Sequence, residues 1–363
     1  MREILARDRF DGVSEGIAWM NTQFLLILAL VGTALSAAGV FFVRRWTLGK
    51  GMLDIPNERS SHSEPTPRGG GIVIAIVSLA AYGIFCVGYD SAISYGFLAG
   101  SILIVGVSWI DDVRDLPPFV RITAHVAAAA LLLFDRGSYP IFFGDPQAEL
   151  STALEFIVSL LFIVWLVNAY NFMDGIDGIA GVQALAASAG WCFLGIVSGE
   201  PTIAVLACVI FASTLGFLFF NWQPAKIFMG DAGSAFLGFT FAGIGLLASP
   251  NSGSRILGLP IACLLVWPFL FDAFYTLIKR LLRREKIWHA HRNHIYQQLV
   301  RRGYSHAAAS TCYGILALSI TVITVTMPTI GHSLVPAWVA AAMVGTLLLG
   351  IEHMVGVQKT SQQ

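Results

Sequence analysis

The sequence predicts an all-α polytopic membrane protein with about 10–11 transmembrane helices. Three observations carry that expectation. Apolar residues fill 56% of the 363 positions and charged residues only 12%, against about 45–50% and about 25% in a soluble domain. Half the usual charge cannot cover a soluble surface of this size. The apolar residues also gather into eleven runs, each close to the roughly 20 residues that cross a bilayer. Finally, Lys and Arg divide unevenly between the connections. The 22 basic and 22 acidic residues cancel, so no global field points to a nucleic-acid partner. Cys86, Cys192, Cys208, Cys263 and Cys312 all lie in apolar runs and form no CxxC pair, which argues against a disulfide framework or a thiolate metal site.

In chain order the spans fall at about 22–43, 72–89, 92–110, 118–134, 152–170, 179–197, 202–220, 233–249, 256–278, 307–328 and 334–356. Spans two and three are separated only by the stretch around Tyr89–Ser91. The longest polar connections run over about 44–71 and 279–306, and no internal repeat is evident. With an outward N-terminus, five connections and the C-terminal tail face the cytoplasm. They hold Arg44, Arg45, Lys50, Arg59, Arg68, Arg114, Arg121, Lys226, Lys279, Arg280, Arg283, Arg284, Lys286, Arg292, Arg301, Arg302 and Lys359. The other side keeps Arg136, Arg255 and the tail residues Arg2, Arg7 and Arg9. Positive charge stays inside, so this split sets the orientation. The three tail arginines would have to be translocated. Initiation at Met20 would remove them, and a peptide from residues 2–19 in purified protein would exclude that start. The first apolar run is span-length with no small-residue exit site, so a cleaved signal peptide is not expected.

The polar residues then collect at the inner ends of the spans. A charged side chain at mid-bilayer costs about 2.5–3.5 kcal/mol, so each acid there needs a cavity, a partner or a job. Ahead of span two, Arg68 precedes Gly69-Gly70-Gly71, and three glycines permit close backbone approach to a ligand; a flexible polar connection is the plain alternative. Span three ends in Asp111-Asp112-Val113-Arg114-Asp115. Adjacent acids repel unless a cation intervenes, so they suit a divalent metal or a general base. A solvated terminus neutralised by Arg114 and Arg121 competes with that reading.

From the inner end of span five, Asn168, Asn171, Asp174 and Asp177 recur every third residue. On a regular helix each such step drifts about 60°, spreading the four over half the circumference. Gly175 and Gly178 break the helix instead and let the later acids turn inward. Oxygen-rich ligands without Cys suit Mg²⁺, with Mn²⁺ as the alternative. Before span eight, Lys226, Phe228 and Asp231 lie in Lys226-Ile-Phe-Met-Gly-Asp231. Asp231 can cap the helix or hold a cation, and Phe228 can stack on a planar base. Past span nine, His289, His291, Arg292 and His294 join a basic run suited to a phosphate-rich ligand. Anionic lipid heads account for Lys279, Arg280, Arg283 and Arg284. Together these residues are equipment for two phosphate-bearing substrates bridged by a metal, one of them a lipid.

The motifs DDVRD, NAYNFMDGIDG and FMGDAGS, in this order and at this span spacing, resemble the polyprenyl-phosphate N-acetylhexosamine-1-phosphate transferase superfamily (glycosyltransferase family 4). The resemblance covers about Asp54 to Gln298. It implies a single transmembrane catalytic domain over 22–356, between an N-terminal tail (1–21) and a C-terminal tail (357–363), in the bacterial cytoplasmic (inner) membrane with its active site on the cytoplasmic face. It implies transfer of sugar-1-phosphate from a UDP-N-acetylhexosamine to undecaprenyl phosphate, with release of UMP. By resemblance Asp111 is the acid that deprotonates the lipid phosphate, and Asp112 is its partner near the metal. Asn171 and Asp231 hold the metal, Asp174 and Asp177 lie near the nucleotide and metal, and Phe228 stacks on uracil. Asn168, Lys226, Arg68, His289, His291, Arg292 and His294 complete the substrate-binding set. The partners implied are the two substrates and membrane lipids, with a homodimer as the open oligomeric option.

One departure bears on the donor. The common-antigen enzymes carry His-x-His-His in the last cytoplasmic loop; here His294 matches the first imidazole, while Tyr296 and Gln297 take the other two positions. That resembles the O-antigen-initiating subgroup, which accepts 6-deoxy donors such as UDP-FucNAc or UDP-QuiNAc, beside UDP-GlcNAc. A peptidoglycan phospho-MurNAc-pentapeptide translocase fits less well, because the loop lacks a triple-His run. CDP-alcohol phosphatidyltransferases place Ala-Arg soon after the first Asp-Gly, and that pair is missing after Asp177-Gly178. An ion-coupled transporter would hold its acids near mid-bilayer, often with repeated halves.

Overall fold

The computed structural model describes residues 22–56, 64–89, 91–140, 149–248, 258–285, 292–329 and 333–360. Among these it contains thirteen α-helices: α1 Thr22–Lys50, α2 Ile72–Gly88, α3 Tyr95–Arg114, α4 Pro118–Arg136, α5 Glu149–Met173, α6 Ile179–Val197, α7 Pro201–Asn221, α8 Asp231–Gly243, α9 Gly258–Leu265, α10 Trp267–Leu282, α11 Ile295–Arg301, α12 His306–Thr329 and α13 Val335–Thr360. Eight are long and apolar enough to cross a membrane, and α9 with α10 makes a bent ninth candidate. The shorter apolar helices are α2, and α8 continued by a 3₁₀ turn over Ile244–Leu247. The protein is an all-α, multi-pass membrane protein, and each predicted span is matched by a helix or a helix pair. The N-terminal tail lies outside the described residues.

The layering follows composition. Helix α8 reads DAGSAFLGFTFAG, and every residue from Ala232 to Gly243 is buried. Its small residues allow neighbouring backbones to come close, which is how membrane helices pack without a hydrophobic drive. It sits between α3, α5 and α2, while α7 packs against α1, α6 and α2. The outer helices turn large apolar side chains outward, Phe134 being 80% exposed, as a lipid-facing surface requires.

Two features depart from the predicted spans. The ninth is not one straight helix: α9 and α10 meet at 80° across Val266. Pro268, the second residue of α10, has no N–H and its ring collides with the carbonyl four residues back, so the helix cannot run through. The carbonyl of Leu265 that the break leaves over accepts a hydrogen bond from Gln183 Nε2 at 2.9 Å. The second departure is a two-residue antiparallel ladder, Leu53–Asp54 (β1) with Thr66–Pro67 (β2), that clasps the ends of the first connection.

Candidate active site

Several helix ends meet at one end of the bundle, and the acids mark the seam. Neighbouring side chains on a helix point about 100° apart, so Asp111 and Asp112 serve different partners. Asp112 reaches α8: its Oδ1 accepts the backbone N–H of Asp231 at 3.0 Å, and its Oδ2 that of Ala232 at 3.2 Å. A carboxylate there satisfies two orphan donors and complements the positive end of the helix. Gly230, at φ 76°, makes room for it; a Cβ there would stand 2.7 Å from an Asp112 oxygen. Gly230 therefore takes the N-cap position and Asp231 opens the first turn, so the cap comes from α3 rather than from Asp231 itself.

Asp111 turns to α4. Its Oδ1 accepts the N–H of Leu116 and its Oδ2 pairs with Arg121 Nη1 at 2.9 Å. The same Arg121 nitrogen lies 3.3 Å from Asp231 Oδ2, so one guanidinium bridges acids that stand 120 residues apart in the chain. The Asn171 side chain also approaches Asp231.

The four polar residues at three-residue spacing find four different surroundings. Helix α5 runs through Met173, so Asn168 and Asn171 are still helical. Asn168 Nδ2 contacts His125 Nδ1 at 3.2 Å and donates to the Val164 carbonyl at 2.7 Å. Asp174 leads the break. Burial, then the charges of Asp231, Asp112 and Asp177, push its carboxyl up to about 8, so these acids do not all ionise unaided. Asp177 is structural in its contacts: Oδ2 accepts the N–H of Ala225 at 3.1 Å and Oδ1 lies 3.2 Å from His306 Nδ1. Asn221 ties the same turn to the next connection, accepting from Gly178 N and donating to the Ile227 carbonyl, each at 3.0 Å.

The glycine run ahead of α2 approaches the protein's own backbone. Gly70 N donates to the Phe228 carbonyl at 2.9 Å, Gly71 N to that of Met229 at 2.8 Å, and Phe228 N to that of Pro67 at 2.8 Å. A Cβ on Gly71 would stand 2.5 Å from Gly233 Cα. The close contact expected with a ligand is thus made with α8. This pairing brings half-buried Phe228 and Arg68 to the acid cluster's end; Arg68 Nη2 lies 3.6 Å from Asp115 Oδ1. Lys226 is exposed, and its carbonyl accepts from Arg44 Nε at 3.1 Å.

His289 and His291 lie outside the described residues. Arg292 is half-buried with Nε lacking a partner among the described residues. His294 is buried against Asp272, Nδ1 to Oδ1 at 3.1 Å. Asp272, His125 and His306 were missed from sequence. The one signal for Asp272 was an acid inside an apolar run; the two histidines carried none.

The donor set suits a hard divalent cation, because it is all oxygen and carries excess negative charge. Among the described residues, no three His, Cys, Asp or Glu side chains are gathered closely enough to hold one as they stand. In this arrangement Arg121 offsets one of the two negative charges that Asp111 and Asp231 can carry.

Fold and site thus define a multi-pass membrane protein whose helix ends gather acids around one arginine at one end of the bundle. Residues 94–249 match the model for Glycosyl transferase family 4. The chain is 30% identical over 270 residues to a probable undecaprenyl-phosphate N-acetylglucosaminyl 1-phosphate transferase of Bacillus subtilis (strain 168), covering 73% of this chain and 74% of that one. It is 27% identical to a decaprenyl-phosphate N-acetylglucosaminephosphotransferase of Mycobacterium leprae (strain TN), covering 69% and 70%. It is also 27% identical to the undecaprenyl-phosphate alpha-N-acetylglucosaminyl 1-phosphate transferase of Escherichia coli (strain K12), covering 83% and 82%. The chain belongs to glycosyl transferase family 4, among its polyprenyl-phosphate N-acetylhexosamine-1-phosphate transferases.

Proposed function

We propose that the protein transfers N-acetylhexosamine-1-phosphate from a UDP-sugar to undecaprenyl phosphate at the cytoplasmic face of the bacterial inner membrane. The product is the lipid-pyrophosphate-sugar that starts O-antigen or another cell-surface polysaccharide. The observation that carries this reading is the bridging of Asp111 and Asp231 by Arg121, beside Asp112, Asn171 and Asp174. A phosphoryl transfer between two anions needs positive charge at the reacting groups, and Arg121 supplies it at the centre of the acids.

The reaction is an exchange. An oxygen of the lipid phosphate attacks the β-phosphorus of the donor, and the bond from that phosphorus to the bridging oxygen breaks. UMP leaves with the bridging oxygen. One phosphoanhydride replaces another, so no ATP is needed, and catalysis reduces to positioning and charge. Arg121 shifts from the carboxylates to the incoming phosphates, the planar fork matching phosphate oxygens as well as it matches acids. Asp111, released from that pair, takes the acceptor's proton. Phe228 stacks on the uracil ring, with Arg68 and Lys226 nearby as cations. Arg292 and His294, just ahead of α11, lie on the side that meets the donor's phosphates. Asp231, Asn171 and Asp112 would hold Mg²⁺ or Mn²⁺, which would supply positive charge for the phosphates. A two-step route through a phosphorylated aspartate would leave labelled phosphate on the protein without acceptor.

The finer reading, a 6-deoxy donor such as UDP-FucNAc or UDP-QuiNAc, rests on Tyr296 and Gln297. Gln297 Oε1 is buried without a partner among the described residues, an acceptor left over for a donor hydroxyl or amide. Purified protein with undecaprenyl phosphate and a panel of UDP-N-acetylhexosamines tests both levels by UMP release. Turnover with one or more donors, abolished in Asp231→Ala, is expected. No UMP from any donor would overturn the activity. Equal use of every donor, unchanged when Tyr296 and Gln297 are both replaced by His, would overturn the specificity argument.

A further inference from the structure

Asp272 lies in the apolar first half of α10, and its side chain is fully buried. An acid in such a place is retained only with full compensation. Five groups contact it, from α10, α11 and its N-cap, and α12. Thr276 Oγ1 donates to Oδ1 at 3.1 Å, one turn further along α10. His294 Nδ1 lies 3.1 Å from Oδ1, and Ile295 N donates to the same oxygen at 3.0 Å. Tyr313 of α12 donates to Oδ2 at 2.6 Å, and Tyr296 N donates to it at 3.3 Å. The carboxylate therefore caps α11, which has no side-chain cap of its own at His294, and it can only accept. That places the proton on His294 Nδ1 and fixes the ring.

The chain of contacts continues to the acid cluster. Tyr296, also fully buried, stacks on His294 with ring centroids 5.8 Å apart. Its hydroxyl donates to the Phe172 carbonyl at 3.2 Å. A Cβ on Gly175 would run into that hydroxyl, so the phenol is seated directly on the turn that leaves α5 and carries Asp174. Tyr313 backs the arrangement edge-on, 6.3 Å from the Tyr296 ring.

We propose that Asp272 is a positioning residue for the transfer site. From within α10 it sets the start of α11 and the tautomer of His294, and through Tyr296 it holds the Phe172–Gly175 turn so that Asp174 faces the other acids. The consequence for turnover rests on the proposed transferase reading; the consequence for the turn does not.

The test uses the full-length protein in detergent or nanodiscs. Asp272→Asn keeps one acceptor oxygen but turns an amide N–H₂ towards the donors at the other. Tyr296→Phe removes only the bond to Phe172. Each is expected to lower kcat for UMP release by about tenfold, the loss of one buried charge-assisted or network bond, with KM for the UDP-sugar changed less than about twofold. The double variant should lose far less than the product of the two, because both act on one path. Hydrogen exchange supplies a readout free of activity: in Asp272→Asn, amides of residues 171–178 should exchange faster, although they lie nearly 100 residues away in the chain. Full multiplication of the two losses would overturn the proposal. So would faster exchange confined to α10 and α11, with the 171–178 turn unchanged. If wild-type protein releases no UMP, the transferase reading fails, and the exchange result still decides the positioning role.

Discussion

Asp112→Asn separates a helix cap from a mere neighbour of the reaction. Both oxygens of Asp112 accept backbone N–H groups at the start of α8, at 3.0 and 3.2 Å. The amide keeps one acceptor and presents N–H₂ to the other donor, so one backbone N–H is stranded in a buried seam. Losing that charge-assisted bond costs about 1.5–3 kcal/mol. Removing the negative charge from the helix N-terminus costs about 0.3–1 kcal/mol more. The total, about 2–4 kcal/mol, falls on the helix that carries Asp231. The thermal inactivation midpoint of the purified variant should drop by about 5 °C or more, and UMP release should fall with it. Asp231→Asn is the control. Its side chain makes the 3.3 Å contact to Arg121 and is approached by Asn171 and Asp111, and its own N–H stays bonded to Asp112. Neutralising it also relieves crowding among the acids. It should abolish UMP release while moving the midpoint by less than about 2 °C, in keeping with the small worth of a partly exposed pair. An unchanged midpoint in Asp112→Asn would refute the cap argument. An equal drop in both variants would mean that acid burial, not the cap, sets stability here.

Two further outcomes follow from the same seam. Arg121→Lys keeps the charge, which a single nitrogen, Nη1, now shares between Asp111 and Asp231, but loses the planar fork that would grip phosphate oxygens; kcat for UMP release should fall by about tenfold or more, and wild-type turnover in this variant would remove Arg121 from the reaction. EDTA should stop UMP release and added Mg²⁺ or Mn²⁺ restore it, since the acid cluster is all oxygen; turnover that survives the chelator would contradict a metal-assisted transfer.

The membrane architecture was legible because bilayer thickness writes its length directly into the apolar runs. The break between α9 and α10 was not read, although Pro268 stood in plain view. Span length measures hydrophobicity, and Pro and Trp do little to interrupt it; only the missing N–H and the ring clash forbid the straight helix. The acids gathered where the spacing argument suggested, yet their partners could not be read. Asn168, Asn171, Asp174 and Asp177 share a three-residue rhythm, but the rhythm drifts around the helix. Each residue is delivered to a different neighbour: His125, Asp231, the acid cluster, and His306 with Ala225. Those neighbours stand 43 to 129 residues away in the chain.

The same fact explains why Asp231 looked like its own helix cap. A sequence shows an acid at a helix start, and the local rule assigns it to that helix. Here the cap comes from Asp112, across the seam, and Gly230 holds the N-cap position because any Cβ there would meet the Asp112 carboxylate. Asp231 is thereby freed to direct its oxygens at Arg121 and Asn171. One acid does the structural work so that the next can remain chemically available. Asp272 repeats the division at α11, capping the helix while His294 and Tyr296 face other work. In both places the acid that stabilises a helix start comes from a different helix, so helix packing and site geometry are set by the same hydrogen bonds. A change that loosens one loosens the other.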